Sequence, residues 1–161
     1  MAAVVVVVVD QFTKSWAVGS LSGEPPRHVF ASLSWNLTIN KGAAFSLGTG
    51  VTPILEVVAV VLVTVLAVAA QRAGRSAPLL AVVAIGMLLG GALSNLGDRL
   101  FRSYGGGVVD FIDALRIGHH DRWPIFNVAD ASISIGAVLL VVVGTRQRAA
   151  AGAPSDTVGA G

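Results

Sequence analysis

Two aspartates, Asp110 and Asp130, are the residues of this chain best suited to shared acid–base work. Carboxylates that occupy one site cannot both ionise easily, so one of them keeps a proton at neutral pH. Such a pair can take a proton from water on one side and protonate a peptide carbonyl on the other, which is the chemistry of an aspartic protease. Two carboxamides, Asn95 and Asn127, and the guanidinium of Arg99 carry the right groups to surround them. On a helix Asn95, Asp98 and Arg99 share one side through their i, i+3 and i, i+4 spacing, as do Asn127 and Asp130. Spacing alone leaves two readings open, acid–base catalysis and ordinary interfacial hydrogen bonding. Asp10 and Lys14 also stand at i, i+4 and read as a mutually neutralising structural pair that fixes helix packing.

The elements that must position these groups are membrane spans. Of 161 residues, 54% are hydrophobic and 12% charged, against about 25% charged in an average globular domain. A transmembrane helix needs about 20 mostly apolar residues, and four segments qualify: 1–18, 52–70, 78–97 and 128–145. Together they hold only four of the 20 charges. The first is interrupted by Asp10 and Lys14, which suits a short or tilted helix or a start upstream of Met1. The missing basic region before it argues against a cleaved signal peptide.

Raw Lys/Arg counts do not settle the orientation, because the two longer connections also hold six, mixed with five carboxylates. Density per residue, from Arg72 and Arg75 in the short connection 71–77 and Arg146 and Arg148 after the last span, favours that connection and both termini in the cytoplasm. The third span then runs outward and the fourth returns. Asn95, Arg99, Asn127 and Asp130 fall at one outer interface, and Asp110 lies in the connection that joins their helices. A carboxylate in hydrocarbon costs at least about 2.5–3.5 kcal/mol, so these polar exceptions are the candidates for function.

The two longer connections are too small for a soluble domain. Partial alternation over Val29–Ile39 suggests short half-buried strands, and the glycine run Gly105–Gly107 before a β-branched pair suits a tight turn or close backbone approach. The expected fold is therefore an all-α membrane protein, four transmembrane helices with a small extracytoplasmic β-containing cap. It forms one domain over 1–148, followed by a disordered cytoplasmic tail at 149–161. Gly90-Gly91 suits close helix packing, and the glycines of the Tyr104–Asp113 loop suit a lid. Trp16, Trp35 and Trp123 suit interfacial anchoring. Asp98 and Asp113 have two readings, assistance to the site or a solvated or Arg-paired carboxylate, and Glu56 reads as reaching the headgroups at the outer end of its span. Cysteine is absent and His119-His120 point apart, so no metal or other cofactor is expected. The basic residues form no stripe, so no nucleic-acid partner is expected.

Five short motifs occur in order along these spans: Asp10-Gln-Phe-Thr-Lys14, Asn40-Lys-Gly-Ala-Ala-Phe45, Gly91-Ala-Leu-Ser-Asn-Leu-Gly-Asp-Arg99, Val108-Val-Asp-Phe-Ile112 and Phe126-Asn-Val-Ala-Asp130. With them the chain, over about residues 8 to 145, resembles the lipoprotein signal peptidases, or signal peptidase II, a family of bacterial intramembrane aspartic proteases. The resemblance implies that Asp110 and Asp130 are the catalytic pair and that Asn40, Asn95, Arg99 and Asn127 shape the substrate site. The expected roles are amide donation to the carboxylates by Asn95 and Asn127, and contact with substrate backbone or lipid ester by Arg99. It also implies a prolipoprotein substrate, cut just before a cysteine bearing a diacylglyceryl group, and membrane lipid around a monomeric enzyme. The location implied is the bacterial cytoplasmic (inner) membrane, with the site near its outer face.

Two other classes fit the composition. A small transporter or proton relay would use intramembrane carboxylates to carry an ion, and an assembly subunit would use Asp10–Lys14 for helix contacts. The candidate carboxylates lie at one interface, and no span carries a midplane charge pair, which argues against transport. The concentration of Asn, Asp and Arg at one depth argues against a pure scaffold.

Overall fold

The computed structural model describes residues 1–41, 77–114, 116–117, 120–121 and 124–151, with residues 58, 61–62, 64–65, 68–69 and 71–72. Three helices within it are long and apolar enough to cross a membrane: α1 (Ala2–Leu21), α2 (Leu79–Phe101) and α3 (Val128–Ala151). The expected span at 52–70 lies largely outside the described residues, and the positions described there are helical. Glu56, Trp123 and His119 lie outside them as well, as do residues 152–161.

The valine run of α1 would favour strands in water, because β-branched side chains lose rotamer freedom in a helix. In an apolar solvent every backbone polar group must be satisfied within the segment, and the helix does this locally. At about 1.5 Å per residue, the 20 residues of α1 reach across a hydrocarbon core. The helix thus continues past Asp10 and Lys14, three residues beyond the expected end, until Gly23 (φ 77°) and Pro25-Pro26 stop it. Likewise α3 runs through Ala149–Ala151, where the sequence reading had begun the tail. Alanine is the best helix former, so the helix has no local reason to stop there.

Small residues bring the helices together. A Cβ on Gly90 would lie 2.6 Å from the Ala3 carbonyl of α1, and one on Gly91 would lie 2.6 Å from the Ala129 carbonyl of α3. The expected close packing is present, with each glycine serving a different neighbour of α2.

Strands β1 (Arg27–Phe30), β2 (Leu33–Asn40) and β3 (Val108–Asp113) form an antiparallel sheet in the order β1-β2-β3. Strands β4 (Arg116–Ile117) and β5 (His120–Asp121) make a second hairpin. The sheet joins the two long connections, with Thr38 opposite Asp110 and Asn40 opposite Val108. It docks on α1 through Phe111, buried against Ala17 and Leu21. Trp16 and Trp35 meet edge to face at 5.6 Å and both contact Phe111. These contacts seat the sheet on the helix and leave Trp16 40% exposed.

Candidate active site

Asp130 owes its place to the start of α3. Asn127 immediately precedes the helix, and its Oδ1 accepts the Asp130 backbone N–H at 2.9 Å. Asp130 Oδ2 reciprocates by accepting the Asn127 backbone N–H at 3.3 Å. This is a capping box, in which two otherwise unpaired helix-terminal donors are satisfied by each other's side chains. Because Oδ1 of Asn127 is used by the cap, its Nδ2 is left to point away from the helix. There it donates to Asp110 Oδ1 at 2.6 Å and to the Val109 carbonyl at 3.3 Å.

Asp110 is 1% exposed on β3. Asn40 lies diagonally across on β2 and donates through Nδ2 to Asp110 Oδ2 at 3.0 Å. Burial, and after it the neighbouring charge of Asp130, push the Asp110 carboxyl up to about 7, against the opposing pull of the Asn40 and Asn127 amides and of Lys14. Asn95, on α2, closes the arrangement: its Nδ2 donates to Asp130 Oδ1 at 2.8 Å, and its Oδ1 accepts from Asn127 Nδ2 at 3.3 Å. Five of the expected site residues, Asn40, Asn95, Asp110, Asn127 and Asp130, therefore form one hydrogen-bonded chain. Asp130 is partly exposed to an open cleft lined by Phe126, Ala131, Ser134 and Ile135.

Arg99 takes a different position. Its Nη1 donates to the Gly106 carbonyl at 2.8 Å, in the turn where Gly105 and Gly106 adopt positive φ of 61° and 77°. Arg99 thus holds the glycine turn that delivers β3, which ties the segment read as a lid to the end of α2.

Beneath the site lies a second polar cluster. Lys14, fully buried, forms ion pairs with Asp10 at 2.7 Å and Asp98 at 2.9 Å and donates to Asn95 Oδ1 at 2.8 Å. Asp98 was read as solvated or Arg-paired; it is completely buried and pairs with Arg102 at 2.8 Å as well as with Lys14. Gln11 and Ser94, which the sequence reading passed over, complete the cluster: Gln11 donates to Asp98 Oδ1 at 2.8 Å and Ser94 donates to Asp10 Oδ2 at 2.7 Å. Gln11 adjoins Asp10 and Ser94 adjoins Asn95, so proximity to a polar residue within an apolar span was the available signal. Among the described residues no group of three or more His, Cys, Asp or Glu side chains is gathered as a metal-ligand set.

The family model described as signal peptidase (SPase) II matches residues 2–145 of the chain. The lipoprotein signal peptidase of Mycobacterium tuberculosis (strain ATCC 25618 / H37Rv) is 44% identical over 147 residues, an alignment spanning 88% of this chain and 67% of that protein. That of Rhodococcus jostii (strain RHA1) is 44% identical over 145 residues, spanning 86% and 68%. Among solved structures, a bacterial membrane enzyme determined by the in meso method at 1.9 Å resolution superposes with a TM-score of 0.74 at 32% identity, covering 88% of each chain.

Proposed function

Since the chain belongs to the signal peptidase II family, we propose that it is an aspartic endopeptidase that removes the signal peptide from diacylglyceryl-modified prolipoproteins, cutting before the lipidated cysteine. The observation that carries the aspartic assignment is the single amide chain in which Asn127 and Asn95 bind Asp110 and Asp130. Both carboxylates are oriented by neutral donors.

In this mechanism Asp110 holds the shared proton, consistent with a carboxyl raised to about 7 by burial and by Asp130. Asp130, open to the cleft, is the base. It takes a proton from water while the water oxygen attacks the peptide carbonyl carbon, and Asp110 gives its proton to the carbonyl oxygen. The resulting gem-diol collapses as the C–N bond breaks: Asp130 returns its proton to the leaving amine, and Asp110 recovers one from a diol hydroxyl. Asn40 and Asn127 keep Asp110 directed into the site, and Asn95 does the same for Asp130. Arg99 shapes the site through the glycine turn.

The apolar walls of the cleft suit a signal helix and acyl chains, which would keep the scissile bond near the interface, where water can reach it. The monomeric enzyme would sit in the bacterial inner membrane with both termini cytoplasmic and the site near the outer face, the arrangement favoured by Arg72, Arg75, Arg146 and Arg148.

Incubation of the purified protein in detergent with a lipidated prolipoprotein, beside an unlipidated control, tests the proposal. Cleavage of the lipidated precursor alone is expected. Ion flux in vesicles without cleavage of either precursor would overturn it in favour of a transporter.

A further inference from the structure

Two backbone N–H groups are claimed by carboxylates of the buried cluster, and each belongs to the residue immediately before a proposed catalytic aspartate. Val109 N–H donates to Asp98 Oδ2 at 3.1 Å, and Ala129 N–H donates to Asp10 Oδ1 at 2.8 Å. Lys14 bridges those two carboxylates at 2.7 and 2.9 Å. Its remaining donor goes to Asn95 Oδ1, and an ammonium group has three donors and no acceptor. Facing a cation, the Asn95 amide must present its oxygen, which turns its NH2 toward Asp130.

Stability alone does not account for this construction. Burying ions is costly, and well-packed apolar residues of similar volume often stabilise a fold as well or better. What the ions add is direction: each carboxylate accepts one particular N–H, and the cation sets the distance between the two acceptors. We infer that Lys14, with Asp10 and Asp98, is a positioning device for the reaction, joining the strand that carries Asp110 to the helix that carries Asp130 and setting the Asn95 amide that orients Asp130. The inference rests on the reading of Asp110 and Asp130 as the reacting pair and goes beyond the packing role that the Asp10–Lys14 spacing implies.

The test compares kcat, KM and unfolding temperature of Lys14→Met, Lys14→Arg, Leu88→Ala and Asp110→Asn in detergent with a lipidated prolipoprotein. Leu88 packs against Gly136 between α2 and α3 and serves as the control for lost packing. Lys14→Met is expected to lower kcat roughly 100-fold, the scale of a misplacement near 1 Å, with KM within about twofold of wild type. Lys14→Arg, which restores the charge, recovers most of that loss. Leu88→Ala loses thermal stability and keeps its kcat below its unfolding temperature. A Lys14→Met kcat that falls only in step with its folded fraction, as for Leu88→Ala, overturns the inference.

Where Lys14→Met does not accumulate as folded protein, Asp98→Asn carries the test, because it keeps the shape and an acceptor for Val109 while removing the charge that pairs with Lys14. Its kcat is expected to fall about tenfold at unchanged KM, and a wild-type kcat overturns the inference. Asp110→Asn separates the two levels. Full activity there removes the reacting pair itself, whereas an inactive Asp110→Asn beside a fully active, folded Lys14→Met removes only the positioning role.

Discussion

Two pairs of aspartates lie close together where the sheet meets the helices, and they differ in what surrounds them. Asp10 and Asp98 are each fully buried and share Lys14 between them, with Arg102 on the far side of Asp98. Asp110 and Asp130 receive amide donors, from Asn40, Asn95 and Asn127. Two carboxylates facing two cations balance in formal charge as a set. Carboxylates held by amides are oriented just as well but gain no opposite charge, so burial first and their mutual repulsion second hold a proton on Asp110. Partner type, more than burial, therefore separates the proposed scaffold from the proposed reactive pair.

The sharpest test of this contrast is to neutralise one member of each pair. Asp110→Asn and Asp130→Asn should leave a folded protein whose turnover falls by about 10²–10⁴-fold, the contribution of a positioned acid or base. Cleavage assays beside thermal unfolding check this, and wild-type turnover in either variant would erase the distinction. Asp98→Ala, in the other pair, is expected to act first on stability. It leaves part of a buried ion cluster uncompensated, a loss of about 3–5 kcal/mol that an unfolding titration in detergent would register.

The two pairs should also differ in their response to pH. The Asp110 carboxyl is raised from 3.8 to about 7 by burial and by Asp130, so the folded state holds that proton more tightly than the unfolded chain. The stability it contributes is fully present below the ordinary carboxylate range and is lost as pH rises through about 7. Activity should decline over the same alkaline limb as the acid is lost. Unfolding temperature against pH should flatten across this window in Asp110→Asn; an unchanged slope would show that Asp110 is not the group titrating. The smallest effect is expected from Arg102→Ala. Its side chain is 19% exposed and Asp98 keeps Lys14 and Gln11 as partners when it is removed, so the loss should be smaller than for Asp98→Ala, readable as a smaller drop in unfolding temperature with kcat retained.

Much of this was legible along the chain because it is local. Asp10 with Lys14 and Asn127 with Asp130 lie within one helical turn, so spacing alone puts each pair on one face. The capping role of Asn127 was legible too, since a short polar side chain followed three residues later by a carboxylate is a helix-start signature. Common depth groups Asn95, Arg99, Asn127 and Asp130 with Asp110; hydrogen bonds join all but Arg99, which holds the Gly106 carbonyl. For Asp98 an Arg partner is legible because Arg102 is one helical turn away, whereas its Lys14 partner is 84 residues away.

By itself the sequence determined that this chain places helices in an apolar solvent, that few polar groups interrupt them, and which family it joins. Those properties follow from composition, short-range spacing and motif order, which depend on near neighbours. The tertiary structure decided that Asn40 reaches Asp110 across a strand pairing, that Lys14 serves two carboxylates from different helices, and that those carboxylates hold the backbone beside both proposed catalytic aspartates. Such contacts arise only when glycines let α1 and α3 approach α2 and the sheet closes over them. Their geometry belongs to packing between distant segments, where local spacing carries no information.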